Sequence, residues 1–138
     1  MSGFNNDLKI GCSAEKEVSE LFSKKGYSFK FNTSKTVCEL KKWDIEITKE
    51  DVVYKVEVKY DLMSSRTGNL AIELKCVLES EADYFVYKFN NEFWYTTRKN
   101  LTLEISREGR FVTGGDRGNS YMKLIKIEAF KQYSKQLN

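Results

Sequence analysis

Asp44, Glu57 and Lys59 are three side chains whose types and spacing could do chemistry together. They fall in two runs of alternating apolar and polar residues within KKWDIEITKEDVVYKVEVKYD, residues 41–61. Alternation with period two marks a half-buried strand. Ile45 and Ile47 share one face of the first run, with Asp44 and Glu46 on the other. Val56, Val58 and Tyr60 share one face of the second, with Lys55, Glu57, Lys59 and Asp61 opposite. The polar segment Thr48–Asp51 reads as the turn between them. Centring that turn between Glu50 and Asp51 sets Asp44 opposite Glu57 and Glu46 opposite Lys55, and gathers Ile45, Ile47, Tyr54, Val56 and Val58 on the other face. Directly opposed side chains have Cβ atoms about 4.5–5.5 Å apart, and like charges there repel. A divalent cation between the two carboxylates relieves the repulsion, and Lys59, two residues along the same face, then reaches a water or a phosphate. Carboxylates that hold Mg²⁺ beside a lysine are the groups that metal-assisted phosphodiester hydrolysis requires. A register shifted by two residues would keep the faces and separate the acids, and the plain alternative is a hairpin with a wet outer face.

Composition narrows the chemistry further. The chain has no histidine, which removes Ser-His and Cys-His nucleophile pairs and any His-based metal site. A bound metal is then expected to be a hard cation held by oxygens, Mg²⁺ or Mn²⁺. Cys12, Cys38 and Cys76 are odd in number and contain no C-x-x-C pair, which points to small buried hydrophobes in a reducing, cytoplasmic setting rather than a disulfide scaffold. No apolar run approaches the roughly 18 residues of a membrane span, and MSGFNNDLKIG lacks the basic start and apolar core of a signal peptide, so no membrane partner is expected. The net charge of +3 is small, but it is unevenly spread. Residues 24–43 hold six lysines against one acid and residues 117–138 five basic residues against one acid, whereas residues 44–61 hold six acids against three lysines. An acidic patch between basic segments suits a polyanion held around bound cations.

The elements that must position these groups fit one domain, since 138 residues suffice for a single core. Ser13 is a plausible N-cap for a helix to Lys25, with Glu15 and Glu17 in its first turn, Ala14, Val18, Leu21 and Phe22 as its apolar stripe, and Gly26 as its stop. Tyr27, Phe29 and Phe31 alternate as a short strand. After the 43–60 hairpin, residues 70–78, LAIELKCVL, read as a buried strand. YFVYKF and EFWYT form a second hairpin about Asn90-Asn91, and Thr97 caps a helix over 98–108. The loop TGGDRGNS leads into a strand YMKLIKI and a helix near 128–136. That loop lacks a Walker lysine and G-x-G-x-x-G, which argues against nucleotide binding. The expected fold class is α/β or α+β: a mixed sheet of five or six strands with helices.

At these residues the chain resembles the PD-(D/E)XK nuclease superfamily. D-I-x-I, twelve residues after the Asp, then V-E-V-K is similar to that superfamily's core, an Asp and an E-x-K on adjacent strands. GCSAEKEVSELFSKKGY is similar to the first helix of archaeal Holliday-junction resolvases and small phage nucleases of this type, with Gly11, Glu15, Gly26 and Tyr27 matching. The segment S-x-x-T-G-N-x-A-I-E followed by S-x-A-D-Y also resembles the small phage enzymes. The resemblance implies a restriction-endonuclease-like mixed central sheet flanked by helices. It also implies that Asp44 and Glu57 bind metal, that Lys59 positions water or stabilises the transition state, and that Glu15 completes or orients the metal shell. Glu73 would be an additional ligand or a supporting one, and Ser65, Arg66 and Thr67 would contact phosphate. Trp43 stands where the superfamily often has proline.

An E-x-K on a strand carries little alone, because amphipathic strands produce it freely; spacing, alternation and the preceding helix carry the reading jointly. It is a Mg²⁺-dependent endodeoxyribonuclease, with Mn²⁺ able to substitute, encoded by a phage or mobile element and so working in the host cytoplasm. Its partner is duplex or branched DNA, met by basic residues that include Lys41, Lys42 and Arg117. One site per chain implies a homodimer wherever both strands are cut. Two other readings stay open: a Holliday-junction resolvase with the same site, and a non-catalytic nucleic-acid-binding module with the same fold.

Overall fold

A computed structural model describes residues 14–32, 43–61, 64–107, 109–114 and 120–138. Lys41, Lys42, Arg117, Cys12 and Cys38, named above, lie outside them, as does the side chain of Ser65.

Residues 14–24 are helical (α1). Their apolar residues at helical spacing, Ala14, Val18 and Phe22, are all buried, each worth up to about 1.5–3 kcal/mol for the larger side chains. Gly26 ends the helix at φ 93°, where its N–H donates to the Ser23 carbonyl and the Tyr27 N–H to that of Phe22. These paired bonds and a left-handed glycine are a Schellman cap. Strands β1 (Ser28–Phe31), β2 (Ile45–Lys49) and β3 (Val52–Tyr60) follow as an antiparallel run. The β2–β3 turn lies at Glu50 (φ 52°) and Asp51 (φ 65°), the two positive φ values of a type I′ hairpin. The expected register is the one adopted: Glu46 pairs with Lys55 and Ile45 with Val56.

The chain then forms a single turn, α2 (Ser64–Thr67), strand β4 (Asn69–Glu73) and helix α3 (Leu74–Glu79) before re-entering the sheet as β5 (Tyr84–Phe89), parallel to β3. Residues 70–78 are therefore not one strand. Leu70 and Ile72 alternate inward, but the run switches period at Leu74, and Val77 packs three residues on. A short apolar run does not distinguish a strand from a buried helix. Strand β6 (Glu92–Thr97) closes a second hairpin through Asn90 and Asn91, both at positive φ. Helix α4 (Arg98–Arg107) starts as expected, with the Thr97 hydroxyl accepting the Asn100 N–H at 3.1 Å.

Strand β7 (Arg110–Gly114) was not expected from the sequence; it pairs with β8 (Ser120–Lys126), which also pairs with β4. The last helix, α5 (Ile127–Gln132), is shorter than expected, and β9 (Lys135–Gln136) then adds to β6. The result is a six-stranded mixed sheet, β1-β2-β3-β5-β6-β9, and a three-stranded sheet, β4-β8-β7. Helix α1 covers one face of the large sheet through Val18, Phe22, Ile45, Ile47, Val56 and Val86. The small sheet and the helices α3 to α5 cover the other through Leu70, Ile72, Val77, Phe85, Leu101 and Phe130.

Candidate active site

The hairpin's polar face is buried in part. Glu57 pairs with Phe85 and Lys59 with Tyr87 in the parallel β3–β5 ladder, so both point toward the core beneath the small sheet. Glu57 is only 4% exposed. Just before the Ile45–Val56 pair, the Asp44 N–H donates to the Val56 carbonyl at 2.9 Å, which holds Asp44 against β3, close enough for its charge to act on Glu57. The Asp44 carboxylate accepts the Val58 N–H at 2.7 Å, fixing it against β3. Glu15, in the first turn of α1, reaches the same point and hydrogen-bonds to Asp44. The Lys59 ammonium lies 3.9 Å from the Glu57 carboxylate.

The electrostatics are those of acids short of positive charge. Burial raises Glu15 to about 7, helped by the charge of Asp44 and the hydrogen bond between them. Burial also raises Asp44, although the Val58 N–H and Lys59 pull it back, and raises Glu57 against the pull of Lys59. Burial alone would lower Lys59, but the neighbouring negative charge, above all Glu57, outweighs it and holds the ammonium protonated. Such a set of perturbed groups marks a candidate functional site.

Among the described residues no three acidic or thiol side chains are already gathered as a cation cage. They stand in pairs instead, Glu15 with Asp44 and Glu57 with Lys59. The donor set nonetheless fits a hard divalent cation: three carboxylates, no imidazole, and ionised forms that the fold disfavours until a positive charge arrives.

Glu73 belongs to the small sheet. It ends β4, paired with Met122, and lines a cavity that Lys59 also lines. Arg66 and Thr67 are exposed on α2, where the Thr67 hydroxyl is engaged with the Asn69 backbone. The sequence did not reveal Cys76. Its thiol lies 3.4 Å from both Glu57 oxygens and also bonds to Lys59. Reading 70–78 as a strand hid it; the i, i+3 spacing of Leu74 and Val77 was the available signal of a helix presenting Cys76 to the sheet.

The fold is the restriction-endonuclease-like fold, a mixed central sheet flanked by helices. Among solved structures it is similar to a bacterial homing endonuclease, I-Ssp6803I, with a TM-score of 0.58 and 17% identity over 90% of this chain and 83% of that one. It is similar also to Hjc, a Holliday junction resolvase of the hyperthermophile Archaeoglobus fulgidus, with a TM-score of 0.57 and 12% identity over 91% of this chain and 90% of that one. Both are nucleases by name, a homing endonuclease and a Holliday junction resolvase. No protein-family model and no curated protein matches the sequence.

Proposed function

We propose that this protein is a metal-dependent endodeoxyribonuclease that hydrolyses phosphodiester bonds in DNA. The observation that carries the reading is that Glu15 hydrogen-bonds to Asp44 and Lys59 lies 3.9 Å from Glu57, with the charge of Asp44 also acting on Glu57, in a fold shared with two nucleases. Asp44 and Glu57 would hold Mg²⁺, or Mn²⁺ in its place, and Glu15 would complete or orient the shell. A cation bound there lowers the pKa of its water and neutralises charge on the phosphate. Lys59 stays protonated and donates to a phosphate oxygen or orients the attacking water, while Glu57 fixes the ammonium. Asp44, held by the Val58 N–H, cannot swing away from β3. The basic segments, with Arg66, Thr67 and the lysines before Asp44, bind the DNA backbone. One site per chain calls for a homodimer wherever two strands are cut, and the expected setting is a cytoplasm, that of the host if a phage or mobile element encodes the protein.

A resolvase reading is favoured by the likeness to the archaeal Holliday junction resolvase. Supercoiled plasmid and a synthetic four-way junction, each with Mg²⁺ or Mn²⁺, separate the two: faster cutting of the junction makes the protein a resolvase. No cutting by folded protein that still binds DNA makes it a binding module.

A further inference from the structure

A cavity of about 430 Å³ opens directly beyond Lys59, walled by β3, β4, α3, β5 and β8. Its lining is of two kinds. Lys59, Asp61, Glu73 and Cys76 supply polar groups, and Tyr60, Ala71, Val77 and Met122 supply largely apolar surface, over the buried rings of Phe85 and Tyr87. Hydrolysis at a carboxylate-bound cation has no use for the apolar part, because water, cation and phosphate oxygens all favour polar surroundings. The volume is that of a small-molecule site rather than a packing defect. Lys59 ties the cavity to the position proposed for the scissile phosphate. The unit tethered to a phosphate that has apolar faces and a polar edge is a nucleobase.

We propose that the cavity receives one unpaired nucleobase from a nucleotide adjoining the cleaved bond, its faces against Ala71, Val77 and Met122 and its edge toward Glu73. A carboxylate accepts from an exocyclic amine, so cytosine or adenine fits better than thymine. The placement rests on the nuclease reading for the phosphate, and it narrows the substrate. A paired base has to be unstacked before it can enter, a cost that is least for a mismatched or single-stranded nucleotide. The preferred DNA therefore carries an unpaired nucleotide beside the cleavage point, as at a mismatch or branch.

The test is the affinity of the full chain, with Ca²⁺ in place of Mg²⁺, for three duplexes: one with a single unpaired cytosine, one abasic at that position, and one perfectly paired. The cytosine duplex is expected to bind about tenfold or more tighter than the abasic one, by analogy with the contribution of a stacked base. Ala71→Phe fills the cavity and is expected to abolish that difference while leaving affinity for the paired duplex unchanged. Met122→Trp serves the same purpose if Ala71→Phe does not fold. Equal affinity for cytosine and abasic DNA overturns the proposal, as does an advantage that survives the filled cavity. Cleavage of the same duplexes in Mg²⁺ is read separately. Base-dependent binding without any cutting sinks the nuclease reading and keeps the pocket; cutting without base dependence sinks the pocket alone; no binding sinks both.

Discussion

Asp44 and Glu57 flank the end of the β2–β3 pairing at Ile45–Val56, with the Asp44 carboxylate accepting the Val58 N–H at 2.7 Å. Two partly buried acids so placed destabilise the metal-free fold, because burial opposes the ionisation of both and the charge of Asp44 opposes that of Glu57 further. Asp44→Asn keeps the acceptor for Val58 and removes one charge. It is expected to stabilise the metal-free protein by about 1 kcal/mol while reducing cleavage at least ~100-fold, the usual trade-off at a functional site. Thermal unfolding without metal, beside a plasmid assay, checks both halves. A destabilised Asp44→Asn protein would contradict the electrostatic account.

Glu15 gives the site its pH dependence. Its carboxyl is raised from 4.5 to about 7, first by burial and then by Asp44. Between those two pH values the folded chain holds a proton that the unfolded chain has released, so raising pH through that window removes stability. Asp44 and Glu57 are raised as well and act in the same direction. The metal-free protein is expected to melt lower at pH 8 than at pH 5, with Glu15→Gln flattening the trend. Added Mg²⁺ should restore more at pH 8, because it binds the ionised carboxylates. Melting curves across pH with and without Mg²⁺ decide; a metal-free protein that grows steadily more stable toward pH 8 would count against the arrangement.

Cys76 acts on Glu57. With the thiol 3.4 Å from both carboxylate oxygens, Cys76→Ala deprives a buried acid of a donor, and Cys76→Ser keeps one. The alanine variant is expected to lose roughly threefold to tenfold in cleavage, in keeping with about 1 kcal/mol for such a bond. The serine variant should recover most of it. Equal rates for both variants would reduce Cys76 to packing.

The hairpin turn is open to improvement. Glu50 and Asp51 adopt positive φ, a conformation that Asn-Gly takes more readily. Glu50→Asn with Asp51→Gly is expected to stabilise the protein by about 0.5–1 kcal/mol without touching the site. A urea titration checks it, and a loss of stability would mean that the turn is not of type I′.

The site was legible in the sequence because a hairpin's register follows from its turn and its apolar face together. Burying Ile45, Ile47, Val56 and Val58 while turning at Glu50-Asp51 sets Glu46 against Lys55 and leaves Asp44 near Glu57 where the pairing ends. What was not legible depended on contacts distant in the chain. Strand β7 exists because β8 offers it a partner, not because RFVTG has a strong pattern of its own. The change from strand to helix at Leu74 left only the i, i+3 spacing of Leu74 and Val77 as a local signal, too short a run to separate helix from strand. Glu73 came into the reading through the sequence pattern; that it sits on the small sheet, lining a cavity together with Lys59 and Cys76, depends on the pairing of β4 with β8.

The central claim is that Lys59, 3.9 Å from Glu57, acts on a phosphate or its attacking water. The most direct test is Lys59→Ala in a supercoiled-plasmid assay with Mg²⁺, with DNA affinity measured alongside. A drop in cleavage of about 100-fold or more, with affinity held within a few-fold, is the expected result for a group that stabilises charge only in the transition state. Cleavage by the variant at the wild-type rate would contradict it.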